Sequence, residues 1–83
     1  MMTKTFRTIL VKDGNAYHGY VPALPGCHTD GKTIEETQKN LVEAIEGWIM
    51  ARQELGWSVP DDTLIETLQT VRFTKPSFPP AYA

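Results

Sequence analysis

The stretch Tyr17-His18-Gly19-Tyr20-Val21-Pro22-Ala23-Leu24-Pro25-Gly26-Cys27, followed by Gly31-Lys32-Thr33-Ile34-Glu35-Glu36, decides how this chain folds. An aromatic strand runs into a turn, and the turn delivers the chain to a helix start. Pro22 ends regular pairing because it has no N–H to give a ladder. Two prolines fix φ in the turn and Gly26 frees it, so Pro22 to Gly26 should be ordered. A short third strand fits Cys27–Asp30 before Gly31 punctuates again.

Upstream, Thr5 to Lys12 (T-F-R-T-I-L-V-K) is rich in β-branched and aromatic residues, as strands are. Asp13-Gly14 suits a tight turn, and Asn15 to Val21 resumes as the second strand of an antiparallel hairpin. Downstream, Thr33 and Glu36 have the spacing of a capping box. At 100° per residue, Ile34, Leu41, Ile45, Trp48 and Leu55 form one stripe, which Val42 and Ile49 widen. Glu35, Glu36, Lys39, Glu43, Glu46 and Glu54 fall opposite. Gly56 is placed to be the left-handed residue after the helix. The spacing predicts a helix over Ile34 to Leu55 with one apolar face on the sheet.

Thr63 to Lys75 is ambiguous. Ile65, Thr67, Gln69, Val71 and Phe73 share one face of a strand, and Leu64, Leu68 and Arg72 the other. A short helix near Asp62–Leu68, capped by Asp61 or Asp62, competes with a strand over Gln69–Thr74. The expected order is β-β-β-α-β. It makes an α+β domain over residues 1–75, an antiparallel three- to four-stranded sheet with one long helix on one face. A proline-rich tail with Phe78 and Tyr82 is expected over 76–83.

Composition narrows the function. The 83 residues are 41% hydrophobic and 22% charged with a net charge of −2, too apolar and too nearly neutral for a disordered chain. A pI near 5.5 argues against a general nucleic-acid binder. The single cysteine, Cys27, cannot pair internally or supply a cysteine-rich zinc site and reads as a small core residue. No apolar run approaches the ~20 residues that span a bilayer and Met1 opens no signal-peptide pattern, so a soluble cytoplasmic domain is expected. Charge is unevenly spread: residues 1–32 carry four basic and two acidic side chains, residues 33–83 four basic and eight acidic. The helix alone sets five Glu against Lys39 and Arg52. That face is either simply solvated or suited to a basic partner.

Little here points to catalysis. Cys27 and His28 are adjacent on a strand and should face opposite ways. His18 has no nearby carboxylate in sequence to orient it. Glu35-Glu36 and Asp61-Asp62 lack a third ligand at metal spacing, and their charge complements helix N-termini. No phosphate loop or metal-finger pattern is present. Catalytic residues, metal ligands and cofactors are therefore expected to be none, and the residues alone describe a small binding or scaffold module.

Taken together, the strand-to-turn Y-x-G-x-x-P-x-L-P-G-C, the segment Gly31-Lys32-Thr33-Ile34-Glu35-Glu36-Thr37 and Asn40-Leu41-Val42-Glu43-Ala44-Ile45 resemble the HicB family of type II toxin–antitoxin antitoxins, over roughly Phe6 to Pro60. The resemblance implies a truncated ribonuclease H-like fold and a partner, a small HicA toxin that cleaves mRNA. Many members add a C-terminal DNA-binding segment. Here ten residues follow Phe73, three of them proline, so autonomous operator binding is not expected. Ribonuclease H enzymes carry a metal-binding aspartate in the first strand. Phe6-Arg7-Thr8-Ile9-Leu10-Val11 has no carboxylate, so nuclease activity is not expected.

The leading expectation is a non-catalytic antitoxin module that masks a HicA-like toxin and forms a homodimer or higher homo-oligomer. The candidate contact residues are Tyr17, Tyr20, Pro22, Leu24, Pro25, Gly26, Glu43, Glu46 and Met50. The alternative is a stand-alone oligomeric scaffold, ligand-binding or regulatory, with no toxin. Association is suggested by Met50, Trp57, Phe78 and Tyr82 and by a sheet with open edges.

Overall fold

Three short strands and one long helix make up the regular structure: β1 Ile9–Asp13, β2 Ala16–Tyr20, β3 His28–Gly31 and α1 Ile34–Glu54. They are seen in a computed structural model that describes residues 2–76. The sheet is antiparallel in the order β1-β2-β3, with Leu10 opposite Gly19 and Gly19 opposite Thr29. The expected α+β layout of an antiparallel sheet with one long helix across it is what the chain adopts.

Local chemistry explains each boundary. The hairpin turns at Gly14-Asn15, one residue later than expected, with Asp13 paired to Ala16. Gly14 has φ +61°, the conformation a II′ turn requires at its first central position. β1 starts at Ile9 rather than Thr5, because its partner β2 ends at Tyr20 and Val21 already belongs to the turn. The helix starts on Thr33, whose hydroxyl accepts the Glu36 N–H at 3.0 Å. It ends in a Schellman motif: Trp57 N–H donates to Arg52 O at 2.9 Å and Gly56 N–H to Gln53 O at 3.0 Å, with Gly56 at φ +74°.

The core is thin. Val21, Leu24, Cys27 and Leu41 are buried, and Phe6, Leu10, Ala44, Ile45 and Trp48 pack around them. Burial raises the Cys27 thiol pKa, as suits a core residue. The helical stripe is used in its middle and not at its ends: Ile34 is 46% and Leu55 61% exposed. The reason is length. A 21-residue helix is about 32 Å long, whereas strands of four or five residues span about 17 Å. The helix is longer than the sheet it crosses.

After Trp57 the chain returns to the start of β1. Lys4 Nζ donates to Asp61 Oδ1 at 2.8 Å, and the Arg7 guanidinium and backbone N–H both donate to Asp62, at 2.8 and 2.7 Å. The Asp62 side chain is only 6% exposed, and the Arg7 guanidinium and then its N–H hold its carboxyl far below the usual carboxylate range. A depressed pKa contributes stability above the unfolded carboxylate value of about 3.9, lost as pH falls below it. The urea midpoint should therefore be flat at neutral pH and fall below about pH 4. Asp62→Asn should be less stable than the parent at pH 6, with the gap narrowing at pH 3. A gap that persisted unchanged at pH 3 would show that the ion pair is not its source.

Neither the short helix nor the fourth strand forms within residues 57–76. Asp62 Oδ1 accepts the Leu64 N–H at 3.0 Å, a local turn that replaces a helix start, and a strand needs an edge that residues 64–74 do not reach in this chain. Apart from Pro76, the proline-rich tail lies outside the described residues, as do Phe78 and Tyr82.

Candidate partner-binding surface

The expected contact residues divide among three surfaces and one interior position. The interior one is Leu24. It is 1% exposed and offers nothing to a partner; it anchors the turn from beneath. Three 3.0 Å backbone bonds close that turn, from Val21 N–H to Cys27 O, Leu24 N–H to Val21 O and Cys27 N–H to Leu24 O. Pro22, Pro25 and Gly26 ride exposed on top, with Gly26 at φ +80°.

The turn is tied to the C-terminal half of α1. Trp48 Nε1–H donates to Pro25 O at 2.9 Å. The Arg52 guanidinium lies 4.8 Å from the Trp48 ring centre and 5.2 Å from that of Trp57, and its Nε–H donates to Ser58 O at 3.2 Å. Two cation–π contacts and two hydrogen bonds thus clamp turn, helix and return segment together. A cleft of about 540 Å³ opens there between Pro25, Trp48, Arg52, Leu55 and Trp57.

The second surface is the outward side of α1. Glu43, Glu46 and Met50 are all exposed there, with Met50 60% and Val42 55% accessible. The result is an acidic face with an apolar centre. Gly47 adds no bulk, and a Cβ there would meet no atom within 4 Å.

The third surface is the sheet face turned away from the helix. Gly19 abuts Leu41 on the helix side, so alternation puts His18, Tyr20, His28 and Asp30 on the open side. His18 Nδ1–H donates to Asp30 Oδ1 at 2.8 Å, and its ring centre is 5.3 Å from that of His28 and 6.4 Å from that of Tyr20. The carboxylate missing from His18's sequence neighbourhood is supplied across the strand pair, by the His18–Asp30 register. No sequence spacing encodes that register. The cluster lies open to solvent, with side chains 37% and 77% exposed at His18 and Asp30. It is suited to donating and accepting hydrogen bonds at an interface. Among the described residues no three His, Cys, Asp or Glu side chains gather as a metal site. None of the described helices is long and apolar enough to cross a membrane.

Tyr17 and Tyr20 are three apart on β2 and so face opposite sides of the sheet. Tyr17 is half-buried opposite Gly31, beneath the helix; Tyr20 is on the open side. In a two-layer fold the open sheet face and the outward helix face point in opposite directions. A single rigid partner can cover one of them together with the turn, not both.

Comparison with known proteins fits this layout. The UPF0150-like family profile matches residues 5–60. A UPF0150 protein of Thermoplasma acidophilum is 39% identical over 62 residues, covering 74% of this chain and 90% of that protein. One from Synechocystis is 43% identical over 49 residues, 59% of this chain and 62% of its own. Among solved structures, the N-terminal domain of the Burkholderia pseudomallei antitoxin HicB superimposes with a TM-score of 0.61 and 38% identity, covering 78% of this chain and 72% of that one. A Thermus thermophilus protein superimposes with a TM-score of 0.53 and 35% identity, over 61% of this chain and 63% of that one.

Proposed function

Because the chain belongs to the UPF0150-like family, we propose that it is an antitoxin-type binding module that docks on a HicA-type, mRNA-cleaving toxin and masks it without catalysis of its own. One observation carries this reading: the likeness, at 38% identity, to the N-terminal domain of an antitoxin HicB. That likeness covers 78% of this chain, and the family match over residues 5–60 spans the three-part motif. The outward side of α1 is the proposed docking face, because Glu43, Glu46 and Met50 combine negative charge with an exposed apolar contact. Pro22, Pro25 and Gly26, on the exposed turn that Trp48 ties to α1 from its inward stripe, are proposed as a second contact. Complementary charge speeds encounter and suppresses wrong partners more than it adds raw affinity.

The test is co-expression with a small basic HicA-type toxin from a neighbouring reading frame. The parent chain should rescue growth and co-purify with the toxin. Glu43→Lys with Glu46→Lys should slow association about tenfold and weaken its salt dependence, while the fold, set by the opposite helix face, stays intact. Failure both to co-purify and to rescue growth would sink the reading. Binding untouched by the charge reversal would move the docking face to the open sheet side.

A further inference from the structure

Between Leu64 and Phe73 the chain leaves its own fold. Five large apolar side chains stand in solvent there: Leu64 is 48% exposed, Ile65 89%, Leu68 95%, Val71 74% and Phe73 85%. Scattered exposed apolar residues are ordinary, but five within one short segment form a patch that soluble proteins normally cover. The radius of gyration, 18.3 Å, against about 12 Å for a compact chain of this length, records how far the segment reaches out.

The segment is patterned as a strand. Ile65, Val71 and Phe73 alternate onto one face and Leu64 and Leu68 onto the other, and the β-branched and aromatic residues concentrate in Gln69–Thr74. What it lacks is an edge. Its root is pinned beside the start of β1 by the Arg7–Asp62 and Lys4–Asp61 bonds, and the Asp62–Leu64 turn then directs it away.

The sheet has two edges. On the β3 side, Asn40 Nδ2–H donates to Asp30 O at 2.9 Å, so that edge is partly closed by the protein's own side chain. Among the described residues the outer edge of β1 takes no further strand, and Val11 on it is 49% exposed. Before the start of β1, a separate groove of about 540 Å³ runs between Phe6, the flank of α1 at Ile45 and Ile49, and Trp57. An unpaired edge is the seat a fourth strand requires, and the same chain carries an unseated strand.

We infer that residues 64–73 form an exchanged arm: each adds as a strand to the β1 edge of a second copy of this chain, giving a reciprocal, two-fold dimer. Reciprocal exchange satisfies both edges and covers both apolar arms in one closed assembly. It uses the sheet edge rather than the outward helix face, so it stands or falls independently of toxin binding.

The test uses the whole chain. Light scattering from 1 to 200 μM should give twice the chain mass at the upper end. Amide exchange should show protection of both 64–73 and 9–13 that fades on dilution. Leu68→Asp with Val71→Asp should return the protein to monomer and abolish that protection. The arm is exposed, so these substitutions leave the rest of the fold intact, which the unchanged Trp48 and Trp57 fluorescence verifies. A monomer at 200 μM overturns the inference. So does arm protection that is independent of concentration, which would mean the arm folds back on its own sheet. A dimer that survives the double substitution, or an arm protected only when toxin is added, overturns it as well.

Discussion

Gly31→Ala should lower the melting temperature by about 10 °C or more, although it adds a single methyl group. A Cβ at Gly31 would stand 2.7 Å from the backbone N and 2.9 Å from the Cα of Thr37, closer than real Cβ atoms approach anything. Thr37 cannot yield cheaply. It is fully buried, its N–H donates to Thr33 O at 3.0 Å, and its hydroxyl donates to the same oxygen at 2.7 Å. The first turn of α1 would have to lift off β3 as a body. Overpacking of this kind costs about 1–3 kcal/mol, and the rigid neighbour puts Gly31 at the upper end. Restricting the unfolded chain by replacing glycine returns only about 0.4–1 kcal/mol, so the clash wins.

Gly19→Ala is the matched control. There the new Cβ meets side-chain atoms, Leu41 Cδ1 at 2.7 Å and Thr37 Cγ2 at 3.0 Å, which rotamer shifts relieve in part. Its loss should be about half as large. Thermal melts of the two variants under one condition decide the matter. If Gly31→Ala melted with the parent, or later than Gly19→Ala, the close seam between sheet and helix would not limit stability.

That seam also shows which parts of the fold a sequence reveals. The hairpin, the Thr33 cap and the Gly56 ending are fixed by groups within a few residues of one another, and the residue types announce them. Gly19 and Gly31 are just as necessary, but their partners, Leu41 and Thr37, are chosen by the way the helix crosses the sheet. The same holds for His18 with Asp30, joined by strand register, and for Arg7 with Asp62, 55 positions apart. Periodicity marks Ile34 and Leu55 as apolar without knowing that the strands are shorter than the helix. Strand propensity in Gln69–Thr74 is legible, but a strand is a relation between two segments, and among the described residues none pairs with this one.

The proposed contact surface follows the same division. The charge and exposure of Glu43, Glu46 and Met50 are readable because a helix places residues by counting. Leu24 is not readable in that way. Within the run Pro22-Ala23-Leu24-Pro25-Gly26 nothing local distinguishes an outward knob from an inward one, since prolines and glycine frame both. The hydrogen-bonded closure of the turn decides it, by folding Leu24 under its own backbone.

Leu24→Ala should accordingly unfold much of the population rather than weaken a contact. Leu24 is 1% exposed and is one of four buried apolar residues among those described, so the cavity has few neighbours able to collapse into it. Large-to-small changes at such sites cost about 2–5 kcal/mol. Domains of ordinary stability hold about 5–15 kcal/mol, and small ones sit at the low end, so a loss of about 3 kcal/mol leaves little. Leu24→Met, which keeps the volume, should cost less than about 1.5 kcal/mol and restore a cooperative melt. Pro25→Ala, on the exposed crest of the same turn, should cost about 1 kcal/mol or less, through the added freedom of the unfolded chain. Urea titrations of the three variants, each paired with a binding measurement against the proposed toxin partner at a temperature where the variant remains folded, separate anchor from contact. An anchor loses stability and keeps its affinity once folded. If Leu24→Ala instead melted normally and bound toxin more weakly, Leu24 would have to leave the core on binding, and the turn would be a moving part of the interface rather than its rigid support.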